Sequence, residues 1–274
     1  MAVILAVAVA GLFAWRMSDH QADRREMDRL IASQPSNPER FAIGMVADLP
    51  EPAQRYFAFT IAEGTPLHTV AHIEMQGQFS LGTQEAPNYM DMKATQILAP
   101  LTGFVWKMSG GSGLMRMSGS DTGLWTRFWL AGLAPVARFG GDADHARSAY
   151  GRYTAEATIW APAAILPGPS VSWEPLGENA ARVIIRHDGF DQAVDLTVDA
   201  EGKPVEIVFQ RWSNANPEGV HQLQPFGALV SDFRDVEGYR LPFRVEAGNM
   251  FGTDAYFPFF LADVTEIKFP GGSQ

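Results

Sequence analysis

LHTVAHIEMQGQFSL, residues 67–81, alternates with period two. His68, Val70, His72, Glu74, Gln76 and Gln78 fall on one face of an extended chain, and Thr69, Ala71, Ile73, Met75 and Phe79 on the other. The pattern predicts a long strand with one wet face and marks where the chain turns from helical to strand periodicity. Further strands are expected over 88–97, 104–109 and 114–118, punctuated by Pro100, Gly103 and a glycine-rich turn at 110–113. After Pro169 strands return at regular spacing, over 171–174, 181–187, 193–198, 204–212, 228–235, 239–246 and 254–267. Asp188-Gly189, Glu201-Gly202 and Glu237-Gly238 suit tight hairpins, because glycine adopts positive φ without steric cost. Between the two strand groups a helical interruption is expected in TGLWTRFWLAGLAPVARFG (122–140) and again in GDADHARSAYGRYTAEATIWAPAAILPGP (141–169). The second segment has Asp142 or Asp144 to cap it and Pro162 to end it.

Upstream, Leu49-Pro50-Glu51-Pro52 leads into a short helix ending near Gly64. The first fifteen residues, MAVILAVAVAGLFAW, carry no charge, and Arg16 opens a strongly charged stretch. As a helix that apolar run reaches only ~22 Å, short of the ~30 Å hydrocarbon core of a bilayer. Residues 1–15 read as a membrane anchor or signal segment, 16–47 as a solvated charged helix and a linker broken at PSNPER, and 48–270 as one sheet-rich domain. Arg16, Arg24, Arg25 and Arg29 all follow the apolar run, which by the positive-inside rule favours a cytoplasmic domain.

Of the 274 residues 46% are hydrophobic and 19% charged, enough apolar material for a packed core. A formal net charge of -10 opposes a sequence-independent grip on a phosphate backbone, so no nucleic-acid partner is expected. The absence of cysteine removes disulfides, thiolate nucleophiles and Cys-ligated metals. The strand and helix pattern implies an α+β fold: a large antiparallel sheet curved into an open half-barrel, with the helical insertion packed on one side over a concave apolar face. Seven Trp and eighteen Phe supply bulk for that face, and Trp106, Trp125, Phe128, Trp129, Phe139, Trp160 and Trp173 cluster around the interruption.

His68 and His72 would share a face on a helix, but four residues on a strand span ~13 Å, too far for two imidazoles on one ion with Zn–N distances of ~2.1 Å. SGGSGLM around Ser112 lacks the spacing of a nucleophile elbow and reads as a hairpin. No metal site, cofactor or catalytic residue is therefore singled out. The most specific local feature is RYTAEATIW: on a helix Arg152, Glu156 and Trp160 are successive i, i+4 neighbours, aligning a cation, an anion and an indole on one stripe. Facing the concavity, that stripe would place a polar pair where ligand heads are fixed; facing solvent, it is an ordinary ion pair beside a packed indole.

LPEPAQRYF, GQF, GFVW, RYTAEATIWAPAAILP, VSWEPL, DAEGKP and DVEGYRLPFRVEAG occur in an order that resembles an uncharacterised bacterial family of membrane-anchored domains of unknown function, over roughly residues 48–269. Its pattern falls on Leu49, Pro50, Arg55, Tyr56, Arg152, Tyr153, Glu156, Trp160, Pro162, Leu166, Pro167, Trp173, Gly202, Arg211, Gly238 and Pro242. The closing EGYRLPFRVE hairpin also resembles lipoprotein-carrier domains of the LolA and LolB type, which implies a half-barrel holding acyl chains. That likeness points to an extracytoplasmic domain at a bacterial inner membrane, against the positive-inside signal. The expectation is a membrane-tethered domain that binds a lipid or other apolar molecule. Arg152, Tyr153, Glu156, Trp160, Trp106, Trp129 and Arg211 are the ligand-binding candidates. The alternatives are a hydrolase with strand-borne Asp, Glu or His and a non-catalytic envelope interaction module.

Overall fold

The computed structural model describes residues 2–271; Met1, the first residue of the expected anchor segment, and residues 272–274 lie outside it. The chain starts with helix α1 (Ala2–Ile31), followed by α2 (Glu51–Thr60), with Pro52 in its first turn. Six strands come next: β1 (Ala71–Ser80), β2 (Tyr89–Ala99), β3 (Gly103–Gly110), β4 (Met117–Thr122), β5 (Thr126–Leu130) and β6 (Ala134–Phe139). Helix α3 (Ala143–Trp160) then leads to seven more, β7 (Val171–Pro175), β8 (Ala180–His187), β9 (Phe190–Val198), β10 (Pro204–Ser213), β11 (Gln222–Val236), β12 (Tyr239–Asn249) and β13 (Phe257–Lys268).

Among the described residues all thirteen strands belong to one antiparallel sheet ordered β6-β5-β4-β3-β2-β1-β13-β12-β11-β10-β9-β8-β7, with β6 and β7 as its edges. Helix α3 touches β3 on one flank and β9 on the other. Its contacts also reach β2, β12 and β10 between them, so strands from both groups curve around the one helix. The architecture is the α+β open half-barrel. The hairpin signals fall where expected: Asp188-Gly189 and Glu237-Gly238 have positive φ at both positions, the backbone of a two-residue turn with matching twist.

Four expectations are corrected. Residues 122–140 are not helical but form the β5–β6 hairpin. Their period-two pattern is masked because the sheet is covered on both faces there, so neither face of β5 is simply polar. The charged helix is packed and not solvated: Asp19, Asp23, Glu26 and Leu30 are buried, and Leu30 packs with Val70, Ile97, Ala99 and Val105 on the convex face of the sheet. His68 precedes β1 and is buried, its imidazole stacked on Phe269 with ring centroids 5.4 Å apart. The linker is also tied down, since Phe41 is buried and its N–H donates to the Thr65 carbonyl at 2.8 Å.

The two halves of α1 differ. From Arg16 onward the helix is bonded to the convex face. Asp19 accepts a bidentate pair of bonds from Arg138 at 2.6 and 3.0 Å and one from the Trp129 indole at 2.9 Å, while Asp23 accepts from Ser120 at 2.7 Å. Before that, Val3, Ile4, Val7 and Phe13 are exposed. Among the described residues no helix is long and apolar enough to cross a membrane, and the expected transmembrane segment finds no support. The physical reason is length: carboxylates enter the helix at Asp19, soon after the uncharged run ends.

Candidate functional site

Helices α2 and α3 share the concave face, where α2 packs Tyr56 and Phe57 against Trp173. Helix α3 starts at Asp142, whose Oδ1 accepts the His145 N–H at 2.8 Å, and this N-cap satisfies a donor the first turn would otherwise leave unpaired. It ends at Ala161 ahead of the turn Pro162–Ile165. Tyr150 is anchored by donation to the Ile185 carbonyl at 3.0 Å, and Trp160 by donation to the Pro242 carbonyl at 3.2 Å. These bonds fix the rotation of α3, so the stripe Arg152, Glu156, Trp160 faces the sheet.

Between that stripe and the sheet lies a cavity of about 480 Å³, within the ~300–1,000 Å³ common for small-molecule sites. Its walls are apolar: Trp106 and Met108 from β3, Phe128 from β5, Phe209 from β10, Phe226 from β11, Phe259 and Phe260 from β13, and Ala155 and Ile159 from α3. Leu81, Val136 and Phe139, each more than half exposed, form its open lip.

One end is polar. Arg152 donates to Glu156 Oε1 at 2.8 Å, to Asp121 Oδ2 at 2.7 Å and to Gln96 Oε1 at 3.5 Å, with its guanidinium 4.6 Å from the Phe104 ring centroid and 5.3 Å from that of Trp106. Glu156 Oε2 accepts from the Gln96 amide at 2.6 Å, and Asp121 Oδ1 from the Thr126 hydroxyl at 2.5 Å. Burial works against the charged form of Arg152, yet the adjacent Glu156 and Asp121 outweigh it and raise its pKa. Arg211 on β10 shares this end but makes no ion pair among the described residues. Its Nε is enclosed without a hydrogen-bond partner, and its guanidinium lies 5.0 Å from the Phe226 ring centroid. Burial and then the like charge of Arg152 depress its pKa to about 10.

Of the seven candidates, Arg152, Glu156, Trp160, Trp106 and Arg211 line this cavity. Tyr153 does not, and instead stands edge-on to Tyr150 at 5.4 Å and tilts against Phe104. Trp129 is on the opposite face, against Asp19 and Trp15, because neighbouring residues of a strand point to opposite sides and Phe128 takes the inner one. The site also contains residues no local spacing indicates. Gln96 and Asp121 come from β2 and β4 and complete the Arg152 cluster, while His145 reaches the Thr126 hydroxyl at 3.2 Å. Among the described residues no group of three His, Asp or Glu converges as a metal site.

A family model described as a family of unknown function, DUF6544, matches residues 39–261. The chain belongs to the DUF6544 family. Several family-pattern residues of this DUF6544 chain do packing work. Arg55 donates to the Asp199 and Glu178 carbonyls and to Asn179, Tyr56 donates to the Thr158 carbonyl at 2.9 Å, and Trp173 donates to the Ile165 carbonyl at 3.0 Å. No curated protein matches the chain. Similar solved structures include a LolA superfamily protein from Nitrosomonas europaea, with 9% identity and TM-score 0.39 over 80% of this chain and 91% of that one. A putative outer membrane lipoprotein-sorting protein domain from Vibrio parahaemolyticus shows 10% identity and TM-score 0.38, over 85% of this chain and 93% of its own. A DUF1329 family protein from Desulfovibrio piger shows 11% identity and TM-score 0.29, over 76% and 88%. The half-barrel assignment rests on the sheet order and the contacts of α3, not on these likenesses.

Proposed function

We propose that this DUF6544 chain binds a lipid or other apolar molecule in the cavity between α3 and the sheet, with its tail among the aromatic walls and its head at the Arg152 end. The observation that carries this reading is a concave face left unfilled by its own side chains, lined by Trp106, Phe128, Phe209, Phe226 and Phe260 and closed at one end by charged groups. Large apolar walls with a few convergent polar groups are the usual form of a small-molecule site. The hydrolase alternative is less well supported, because Asp121 and Glu156 are both ion-paired with Arg152.

The same reading places the protein at a bilayer surface. Arg16 donates to the Gly132 carbonyl at 3.1 Å, so the exposed apolar half of α1 leaves the sheet beside the β5–β6 turn, where Leu133 is exposed. Met115 and Leu114 are exposed in the neighbouring β3–β4 turn, joined to the first by the Ala131 N–H to Arg116 carbonyl bond of 2.7 Å. Apolar side chains gathered at one end of a domain suit insertion into a headgroup layer.

Titration of a neutral apolar dye, N-phenyl-1-naphthylamine, tests the cavity. Saturable fluorescence enhancement at one site per chain, competed by long-chain amphiphiles, is expected. A purely linear response would remove the reading.

A further inference from the structure

At the polar end of the cavity every carboxylate oxygen is already engaged. Asp121 is held by Arg152 and Thr126, and Glu156 by Arg152 and Gln96. Arg152 is therefore paired, with two carboxylates at 2.7 and 2.8 Å. Arg211 is the opposite case. It lines the same cavity, has no carboxylate oxygen within 4.0 Å of its nitrogens among the described residues, and rests against the face of Phe226. A guanidinium whose Nε is enclosed without a partner is costly, and such groups are ordinarily paired. Among the described residues no carboxylate pairs directly with this charge: Asp121 and Glu156 act on it only from a distance, and the wall positions beside it on β10, Ile207 and Phe209, are apolar. A planar fork of donors in an apolar recess matches the two oxygens of a carboxylate or phosphate, and the low dielectric around it strengthens that bond.

We infer that Arg211 is an anion seat, and that the cavity takes amphiphiles carrying one anionic head, carboxylate or phosphate, on an apolar tail. The inference rests on the apolar-ligand reading above and narrows it. Arg152 then acts as a positioning residue: held by Asp121 and Glu156, it offsets the two carboxylates that stand at the same end as the head. The carboxylates, fully engaged, bar a cationic head from pairing with them.

Isothermal titration of the full chain with dodecanoate, dodecyl phosphate and dodecanol, each below its aggregation concentration, tests it. Both anions are expected to bind about tenfold or more tightly than the alcohol, the usual advantage of a charge-assisted hydrogen bond over a neutral one. The better of the two anions identifies the head. Arg211→Met, which replaces an unpaired charge with an apolar chain of similar length, is expected to erase that preference, so that the three ligands bind alike, and to raise the thermal midpoint of the empty protein. Equal affinity for all three in the unaltered chain would overturn the anion seat and leave the apolar-ligand reading standing. So would a preference that survives in Arg211→Met. Binding of none of the three would overturn both.

Discussion

Phe128 and Trp129 are neighbours on β5 that face opposite sides of the sheet: Phe128 forms part of the cavity wall, while the Trp129 indole donates to Asp19 of α1 at 2.9 Å. One strand therefore serves both as the inner wall of the cavity and as the dock for the helix whose apolar half projects from the domain. The dock is a run of carboxylates, Asp19 and Asp23, set against Arg127, Arg138 and Lys107 on the convex face.

Asp19 is nearly enclosed, and its removal leaves Arg138 and the Trp129 indole without their acceptor. Asp19→Ala is expected to cost about 3 kcal/mol in urea unfolding, the low end for breaking a buried pair because both arginines keep partial contact with water.

Stability should also follow the titration of that carboxyl. Burial alone would raise its pKa, but hydrogen bonds from Arg138 and Trp129 and the charges of Arg138 and Arg127 outweigh burial and hold it below the ordinary carboxylate range. A folded-state pKa depressed in this way contributes stability above the unfolded value of ~3.9, and that contribution is lost as pH falls through the folded value. The difference in thermal midpoint between the unaltered chain and Asp19→Asn should be constant from neutral pH to about 5 and shrink below about 4. A difference that grows on acidification would contradict the assignment.

Arg152→Ala strands Asp121 and Glu156 beside the apolar cavity. A loss of about 2 kcal/mol in denaturant unfolding is expected, less than for a fully enclosed pair since all three side chains retain some exposure. Arg152→Lys should recover only part of it, because an ammonium cannot reproduce the two-sided fork.

Ala155 lines the cavity from α3, so Ala155→Phe inserts a ring into the open space. Ligand binding should fall by about an order of magnitude or more with stability changed by less than ~1.5 kcal/mol, since the added volume meets a void instead of packed atoms. Unchanged binding would place the ligand elsewhere.

Removing residues 1–14 leaves Trp15 on Trp129 and every contact from Arg16 onward in place. The shortened chain should keep its thermal midpoint but lose flotation with liposomes; retained flotation would move the membrane contact to the loops around Leu114 and Leu133.

What is legible in the sequence follows the range of the interactions. The stripe Arg152, Glu156, Trp160 is a product of helical spacing alone, and so is readable before any tertiary structure is known. The acidic-glycine turns and the alternation from Ile73 to Phe79 are likewise local. Gln96 and Asp121 are not, because they meet Arg152 only after β2 and β4 have been laid into the sheet. The pattern of β5 fails for a different reason: Arg127 and Trp129 are covered by α1 as Phe128 is by the cavity, and a strand buried on both faces loses the polar-apolar contrast that would identify it. Asp19, Asp23 and Glu26 read as a solvated stripe since charge on a helix usually faces water; the basic partners of Asp19, Arg127 and Arg138, lie more than a hundred residues away.

The most direct test of the central claim is native mass spectrometry of the full chain released from detergent, followed by organic extraction and identification of what is released. The account predicts one amphiphile per chain with an apolar tail, displaced in Ala155→Phe. A chain that is empty as purified and stays empty when offered fatty acids and phospholipids would contradict it.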